Sequence, residues 1–264
     1  SGVNPSDWKA RLHGRGGSIP FPLIIPQSDG AGVIDAVGNG VEDGRVGKSV
    51  WLMNGQWQRP FGTAAEYICT ESKYVIDLPD GVDMAEGACF GIPFLTAHRA
   101  VMFDGVVNGQ TVLVQGGAGA VGHYAIQVAK NNGARVITTV SSDEKVDYVQ
   151  GAGADGVVNY RAEDVPKRIM ALTDGRGVDR IVELNISENG RMYAHILAQG
   201  GTVVVYGTNE VMASLVAQDF YVKWASLKGF LIYTINDTQR REGVAALNTM
   251  LAEGNLKTTI AKRF

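Results

Sequence analysis

The stretch from Val114 to Lys130, VQGGAGAVGHYAIQVAK, constrains the fold more than any other part of the chain. Four glycines fall within the seven positions 116–122. Glycine loses more backbone entropy on folding than any other residue, so such a cluster needs a physical reason. A short β-branched run, TVLVQ at 111–115, precedes the glycines. After them Val121, Tyr124, Ala125, Val128 and Ala129 recur at i, i+3, i+4, i+7 and i+8, the spacing of one helix face. A second β-branched run, ARVITTV at 134–140, follows. Strand, glycine turn, amphipathic helix and strand in this order predict a βαβ unit with the glycines at its first turn.

Within that turn Gly117, Gly119 and Gly122 have the spacing G-x-G-x-x-G. The first glycine permits the tight turn, the second lets a pyrophosphate approach the backbone, and the third lets helix and strand pack closely. The helix N-terminus at Ala120 and Val121 adds free N–H groups and a positive dipole end. The other reading is a turn packed closely for structural reasons alone. The end of the second strand bears on which dinucleotide would bind. A carboxylate there holds the ribose 2′-hydroxyl of NAD, whereas this strand ends in Ser141 and Ser142, with Lys145 shortly after. Two hydroxyls and an ammonium suit a 2′-phosphate and predict NADPH. Asp143 and Glu144 lie beside them and read as acidic residues in the first turn of the next helix. Tyr160, ending DGVVNY at 155–160, is a further candidate donor.

The texture of the chain changes near residue 95. Beyond it, DGVVNY, DRIVEL at 179–184 and GTVVVYG at 201–207 continue the β-branched runs, separated by helical stretches. Such alternation predicts an α/β domain, a doubly wound parallel sheet covered on both faces. The apolar run SLKGFLIYT at 226–234 precedes a last helix expected from Thr238 to Glu253. Before residue 95, AGVIDAVGNG, KSVWLM, AAEYICTE and KYVIDLPDG are short apolar runs broken by turn residues, the rhythm of a compact β-rich unit.

Composition narrows the function classes. The 264 residues carry a net charge of -3 without a long basic run, which argues against a nucleic-acid footprint. No apolar stretch approaches the length of a membrane span. Two cysteines, Cys69 and Cys89, cannot make a disulfide framework or a four-thiolate zinc site. A reducing, cytoplasmic setting is expected. The histidines His13, His98, His123 and His195 are scattered without ligand spacing.

In order along the chain, GVNPSDW, GAGVIDAVG, FGTAAEY, GIPFLTAHRA and VQGGAGAVGHYAIQVAK resemble the medium-chain dehydrogenase/reductase superfamily. Within it they are similar to the zinc-free quinone oxidoreductase branch that includes zeta-crystallin. The resemblance implies a GroES-like catalytic domain over 1–95 lacking its N-terminal part, a Rossmann NADP-binding domain over 96–255, and at 256–264 the start of a return into the catalytic domain. It implies an active site in the cleft between the domains and a homodimer or larger homo-oligomer. Family members extend beyond both ends of this sequence, with strands before it and a helix and strand after it. By similarity the zinc-ligand positions of other branches fall on Asn4, Ser28 and Ile92, none of them a customary zinc ligand. No metal is expected.

Without a metal to act as Lewis acid, alcohol oxidation gives way to hydride transfer from NADPH to an electron-poor quinone or α,β-unsaturated carbonyl. The resemblance brings Asn4 to the nicotinamide, where its amide could donate to the acceptor oxygen; its other reading is a turn-forming residue before Pro5. Thr96 is placed near the nicotinamide too, or is the N-cap of the helix entering the second domain. Gly207, Thr208, Phe230 and Leu231 are placed at the nicotinamide end of the cofactor. Asp7 and Glu66 read as structural carboxylates. Lys9 and Arg15 stand where relatives carry tyrosines beside the acceptor, either in a solvated loop or facing a phosphate-bearing tail. Two alternatives to the quinone or enone reductase follow: an enoyl-thioester or acyl-type reductase, and an NADPH-binding sensor without turnover.

Overall fold

A computed structural model describes residues 1–13 and 20–264, so Arg15 lies outside the described residues. The chain forms two units, Ser1–Leu95 with Thr258–Phe264, and Thr96–Lys257.

In the first unit α1 spans Pro5–His13, and β1 (Gly30–Val33), β2 (Ser49–Leu52) and β3 (Val75–Asp77) form an antiparallel sheet in the order β1-β2-β3. Gly30 faces Leu52 across the first pair, and Trp51 faces Ile76 across the second. Trp51 is fully buried and meets Phe90 edge to face at 6.1 Å. A short α2 (Met84–Gly87) is capped by Asp83, whose carboxylate accepts from the N–H of Ala85. The run AAEYICTE forms no strand; Tyr67 within it is 76% exposed. Alternating apolar residues make a strand only where a neighbouring strand supplies the ladder, and none of the described strands pairs with this run. The helix α3 (Gly91–Val101) continues the chain into the second unit.

The second unit contains β4 (Thr111–Val114), β5 (Arg135–Val140), β6 (Gly156–Asn159), β7 (Val178–Glu183), β8 (Leu197–Val205) and β9 (Ser226–Gly229). All pair in parallel, in the order β6-β5-β4-β7-β8-β9. Every residue of β4 is buried, as expected of a central strand covered on both faces. The helices are α4 (Ala120–Asn131), α5 (Val146–Gly151), α6 (Val165–Leu172), α7 (Ile186–Asn189), α8 (Tyr193–Ile196), α9 (Ala217–Val222) and α10 (Asp237–Ala252). Leu113, Ile137, Val158, Ile169, Ile181 and Val203 pack into one core. Each such side chain contributes about 1.5–3 kcal/mol by leaving water.

Three elements go beyond their sequence reading. Helix α4 is buried from Gly122 through Ala129, not on one face. His123 stacks on Tyr148 at 4.4 Å, and the Gln127 side chain bonds the backbone of Lys257 through both its nitrogen and its oxygen. Polar side chains that complete their hydrogen bonds can be buried, and their pattern then no longer marks a solvent face. The apolar run SLKGFLIYT, not assigned an element from sequence, is a strand only over Ser226–Gly229. Helix α10 begins at Asp237 because Asn236 and Gln239 form a reciprocal capping box. Among the described residues no helix is long and apolar enough to cross a membrane.

Strand β4 has β5 on one side and β7 on the other, so the chain order reverses there. In such sheets the carboxyl ends of the two strands flanking the reversal frame a crevice. Here those ends are the turn after Val114 and the turn after Glu183.

Candidate functional site

The glycine turn is built by two kinds of constraint. Gly116 has φ +66°, the left-handed region, and its N–H donates to the Thr139 hydroxyl at 2.9 Å. A Cβ on Gly117 would lie 2.0 Å from the Thr138 hydroxyl oxygen, and one on Gly122 would lie 2.3 Å from the Gly116 carbonyl oxygen. Both positions exclude a side chain by sterics alone. Gly119 differs: its Cβ would meet only the Gly116 carbonyl oxygen at 3.3 Å, with the rest of its surroundings open. Gly119 is also the N-cap of α4 and brings no side-chain hydrogen bond to it. The N–H groups of Ala120 and Val121 open the helix beside that bare backbone, where an anion finds donors and a favourable dipole. The residues present fit a pyrophosphate.

At the end of β5, Lys145 Nζ donates to the Ser141 hydroxyl at 2.7 Å, so ammonium and hydroxyl are side by side and exposed to solvent. Ser142 is half-buried and Tyr160 is exposed at the end of the neighbouring β6. Asp143 turns away from this pair: its carboxylate accepts from the Asn159 side chain at 2.8 Å. The carboxylate nearest in sequence is thus engaged by an amide.

Beyond β8, Gly207 packs against the backbone after β7; its Cβ would lie 2.5 Å from the Leu184 carbonyl oxygen. Thr208 Oγ1 donates to the Glu210 carbonyl at 2.8 Å. Phe230 follows β9, donates its N–H to Val205, and lies 6.0 Å from the Phe103 ring; Leu231 beside it is exposed.

In the first unit Asn4 is buried, and its side-chain nitrogen donates to Asp29 Oδ2 at 2.8 Å. Its backbone N–H donates to Asp7 Oδ2 at 2.8 Å, the arrangement of a structural carboxylate. Asp29 Oδ2 also accepts from the Ile92 N–H at 2.8 Å, while Oδ1 packs on Gly91, where a Cβ would lie only 2.2 Å away. Burial, helped by the Asp7 charge, pushes the Asp29 carboxyl up to about 8 despite those two donors. Ser28 is wholly buried and Ile92 offers only its backbone. Glu66 is exposed, and Lys9 lies 5.8 Å from the Trp8 ring. Among the described residues no three His, Cys, Asp or Glu side chains gather as a metal site would require. An amide donor, an enclosed hydroxyl and an isoleucine are not a zinc donor set.

Thr96 requires a correction. Helix α3 begins at Gly91, so Thr96 sits inside it and is not its N-cap. Its hydroxyl is buried without a hydrogen-bond partner among the described residues. The helix starts earlier because Pro93 falls within its first turn, where a missing N–H costs nothing.

Sequence reasoning also missed Gly116, the Thr138–Thr139 pair beneath the turn, and the buried carboxyls Asp29 and Glu183. A glycine directly before a G-x-G is a signal for the first. The two threonines looked like ordinary strand residues.

Two family models match the chain, "Alcohol dehydrogenase GroES-like domain" over residues 1–80 and "Zinc-binding dehydrogenase" over 120–248. The human protein named quinone oxidoreductase is 30% identical over 264 residues, covering 100% of this chain and 78% of the relative. The crystal structure of a Pseudomonas syringae quinone oxidoreductase superposes with a TM-score of 0.84 at 28% identity, covering 98% of this chain and 79% of the other. A mycobacterial protein solved in complex with NADPH superposes with a TM-score of 0.82 at 28% identity, covering 98% and 80%. Two-unit architecture, glycine turn and full-length similarity agree: the chain belongs to the quinone oxidoreductase family of the medium-chain dehydrogenase/reductase superfamily.

Proposed function

We propose that the chain is a zinc-independent, NADPH-dependent reductase of quinones or α,β-unsaturated carbonyls. The observation that carries the cofactor choice is the Lys145–Ser141 pair at the end of β5, with Asp143 drawn off by Asn159. An ammonium and a hydroxyl match a 2′-phosphate, and the carboxylate nearest the strand end, Asp143, is bonded to Asn159. The glycine turn holds the pyrophosphate through backbone N–H groups, with Gly119 giving the closest approach. When bound, NADPH supplies a hydride, and with one proton from solvent a quinone becomes a hydroquinone.

Zinc independence rests on the chemistry of Asn4, Ser28 and Ile92 and on the engagement of Asn4 by Asp29. No step is routed through a metal. Asn4 retains one amide hydrogen beyond the bond to Asp29, and that hydrogen is the donor proposed for the acceptor oxygen. Thr96 is assigned to the nicotinamide on the strength of a hydroxyl with no hydrogen-bond partner among the described residues. Gly207, Thr208, Phe230 and Leu231 are assigned to the nicotinamide end. The open edge of β9 supports assembly into a homodimer through that edge.

The direct test is NADPH oxidation with an ortho-quinone, a simple enone and an enoyl thioester offered separately, and NADH as control. Turnover of the quinone or the enone with preference for NADPH is expected. Turnover confined to the thioester would move the assignment to an acyl-type reductase, and tight binding without turnover would make the chain a sensor. Lys145→Ala is expected to reduce the preference for NADPH over NADH about tenfold, the loss of one charge-assisted contact.

A further inference from the structure

Glu183 is the last residue of β7 and is wholly buried. Its carboxylate is surrounded by donors from the following segment. The Asn185 N–H and the Tyr193 hydroxyl donate to it, and Asn189 Nδ2 lies 3.1 and 3.2 Å from its two oxygens. These bonds fold the chain after β7 back over the strand end and leave the Asn185 side chain turned toward the next loop. Asn185 Oδ1 accepts from the Asn209 N–H at 2.9 Å and from the Ser187 hydroxyl at 2.7 Å. The Ser187 oxygen in turn accepts from the Glu210 N–H at 3.3 Å. Two loops at the carboxyl edge of the sheet, one after β7 and one after β8, are therefore tied by side chains to two successive backbone N–H groups. Between them Gly207 sits against the Leu184 carbonyl, and the Leu184 side chain covers the place where a Cβ of Gly116 would stand.

This clasp lies across the chain reversal from the glycine turn. The pyrophosphate cradle and the Ser141–Lys145 pair belong to the β4–β5 side, whereas the clasp shapes the β7–β8 side. We infer that Glu183 and Asn185 are positioning residues that hold loop 207–210 for the nicotinamide half of the dinucleotide, leaving the adenosine half to the other side. The inference rests on the cofactor reading proposed above and adds to it the side chains that fix the loop. Neither side chain needs to touch the ligand. Asn185 sets the loop through Asn209, and Glu183 sets Asn185.

The experiment measures two affinities in each variant of the whole chain: NADPH, and adenosine 2′,5′-bisphosphate, which carries the adenosine and 2′-phosphate without the nicotinamide. Asn185→Ala removes the acceptor for Asn209 and Ser187. It is expected to weaken NADPH about tenfold and leave the bisphosphate within twofold of wild type. Asn185→Asp, which keeps an acceptor oxygen at the same place, is expected to restore most of the NADPH affinity. Hydrogen exchange at the Asn209 amide is expected to quicken in Asn185→Ala without any ligand. If Asn185→Ala does not fold, Ser187→Ala, which removes the tie to Glu210 and one of the two donors to Asn185 but leaves the Asn185–Asn209 bond, reads the same ratio with a smaller change. NADPH affinity unchanged in these variants, or both ligands weakened in parallel, would overturn the clasp. A wild-type chain that binds neither ligand would instead overturn the dinucleotide reading, and the inference with it.

Discussion

Asp29 and Glu183 are both enclosed carboxyls, one in each unit, and the protein solvates them differently. Asp29 has two donors on one oxygen, and its other oxygen packs on Gly91 with no hydrogen-bond partner among the described residues. Burial outweighs those donors and lifts it to about 8, so it is a neutral acid at pH 7. Glu183 has donors on both oxygens, from Asn185, Asn189 and Tyr193. Burial raises it as well, and each of those donors opposes the rise. In both, burial is the larger influence and the hydrogen bonds to the charged form oppose it; what differs is how many donors each carboxyl gathers. A carboxyl bonded through one oxygen holds two neighbours, Asn4 and the Ile92 N–H. A fully surrounded one organises a segment.

The sharpest way to break this contrast is to remove each carboxyl. Glu183→Leu strands the buried Tyr193 hydroxyl and Asn185 N–H and is expected to cost about 3–5 kcal/mol in urea unfolding. Equal losses for Glu183→Leu and Asp29→Leu would dissolve the difference. The next effect is in pH. Asp29 holds its proton in the folded chain up to about 8, while the unfolded chain releases it near 3.8. Its stabilising contribution is therefore complete below the unfolded value and is lost as pH rises toward the folded one, by up to about 1.4 kcal/mol per pH unit. Unfolding free energy between pH 5 and 7 is expected to fall more steeply in wild type than in Asp29→Asn, where the group cannot titrate. Parallel slopes would mean that Asp29 is ionised when folded.

A smaller effect separates the glycines, where space and not charge makes the difference. Gly117→Ala must displace Thr138 and is expected to cost about 1–3 kcal/mol, as an overpacked site does. Gly119→Ala meets open surroundings, is expected to change stability by less than about 0.5 kcal/mol, and should still weaken NADPH binding by obstructing the backbone. Equal thermal shifts for the two variants would remove the distinction between a glycine kept for packing and one kept for a ligand.

Much of this was legible in the residues. The β4–α4–β5 unit followed from periodicity and glycine spacing, because its strands, turn and helix are consecutive and their contacts local. The parallel sheet followed from the β-branched runs, and Lys145 beside Ser141 from their spacing of four. What was hidden depended on distance along the chain. Glu183 reads as an ordinary polar strand end in DRIVEL, and its donors lie up to ten residues further on, with loop 207–210 further still. Asn4 was legible as a candidate, yet its partner Asp29 stands twenty-five residues away. AAEYICTE reads as a strand and is not one, since strand formation depends on a neighbour that the segment itself does not contain.

By itself the sequence determined the order of strands and helices, the bare backbone at the glycine turn and the absence of customary zinc ligands at Asn4, Ser28 and Ile92, because these depend on residue type and near spacing. Only the tertiary structure decided which carboxyls are buried and how many donors each gathers, which asparagine is held and by what, and which glycine faces open space. Those properties depend on how many donors and how much water surround an atom once distant segments have met, and no local pattern carries that information.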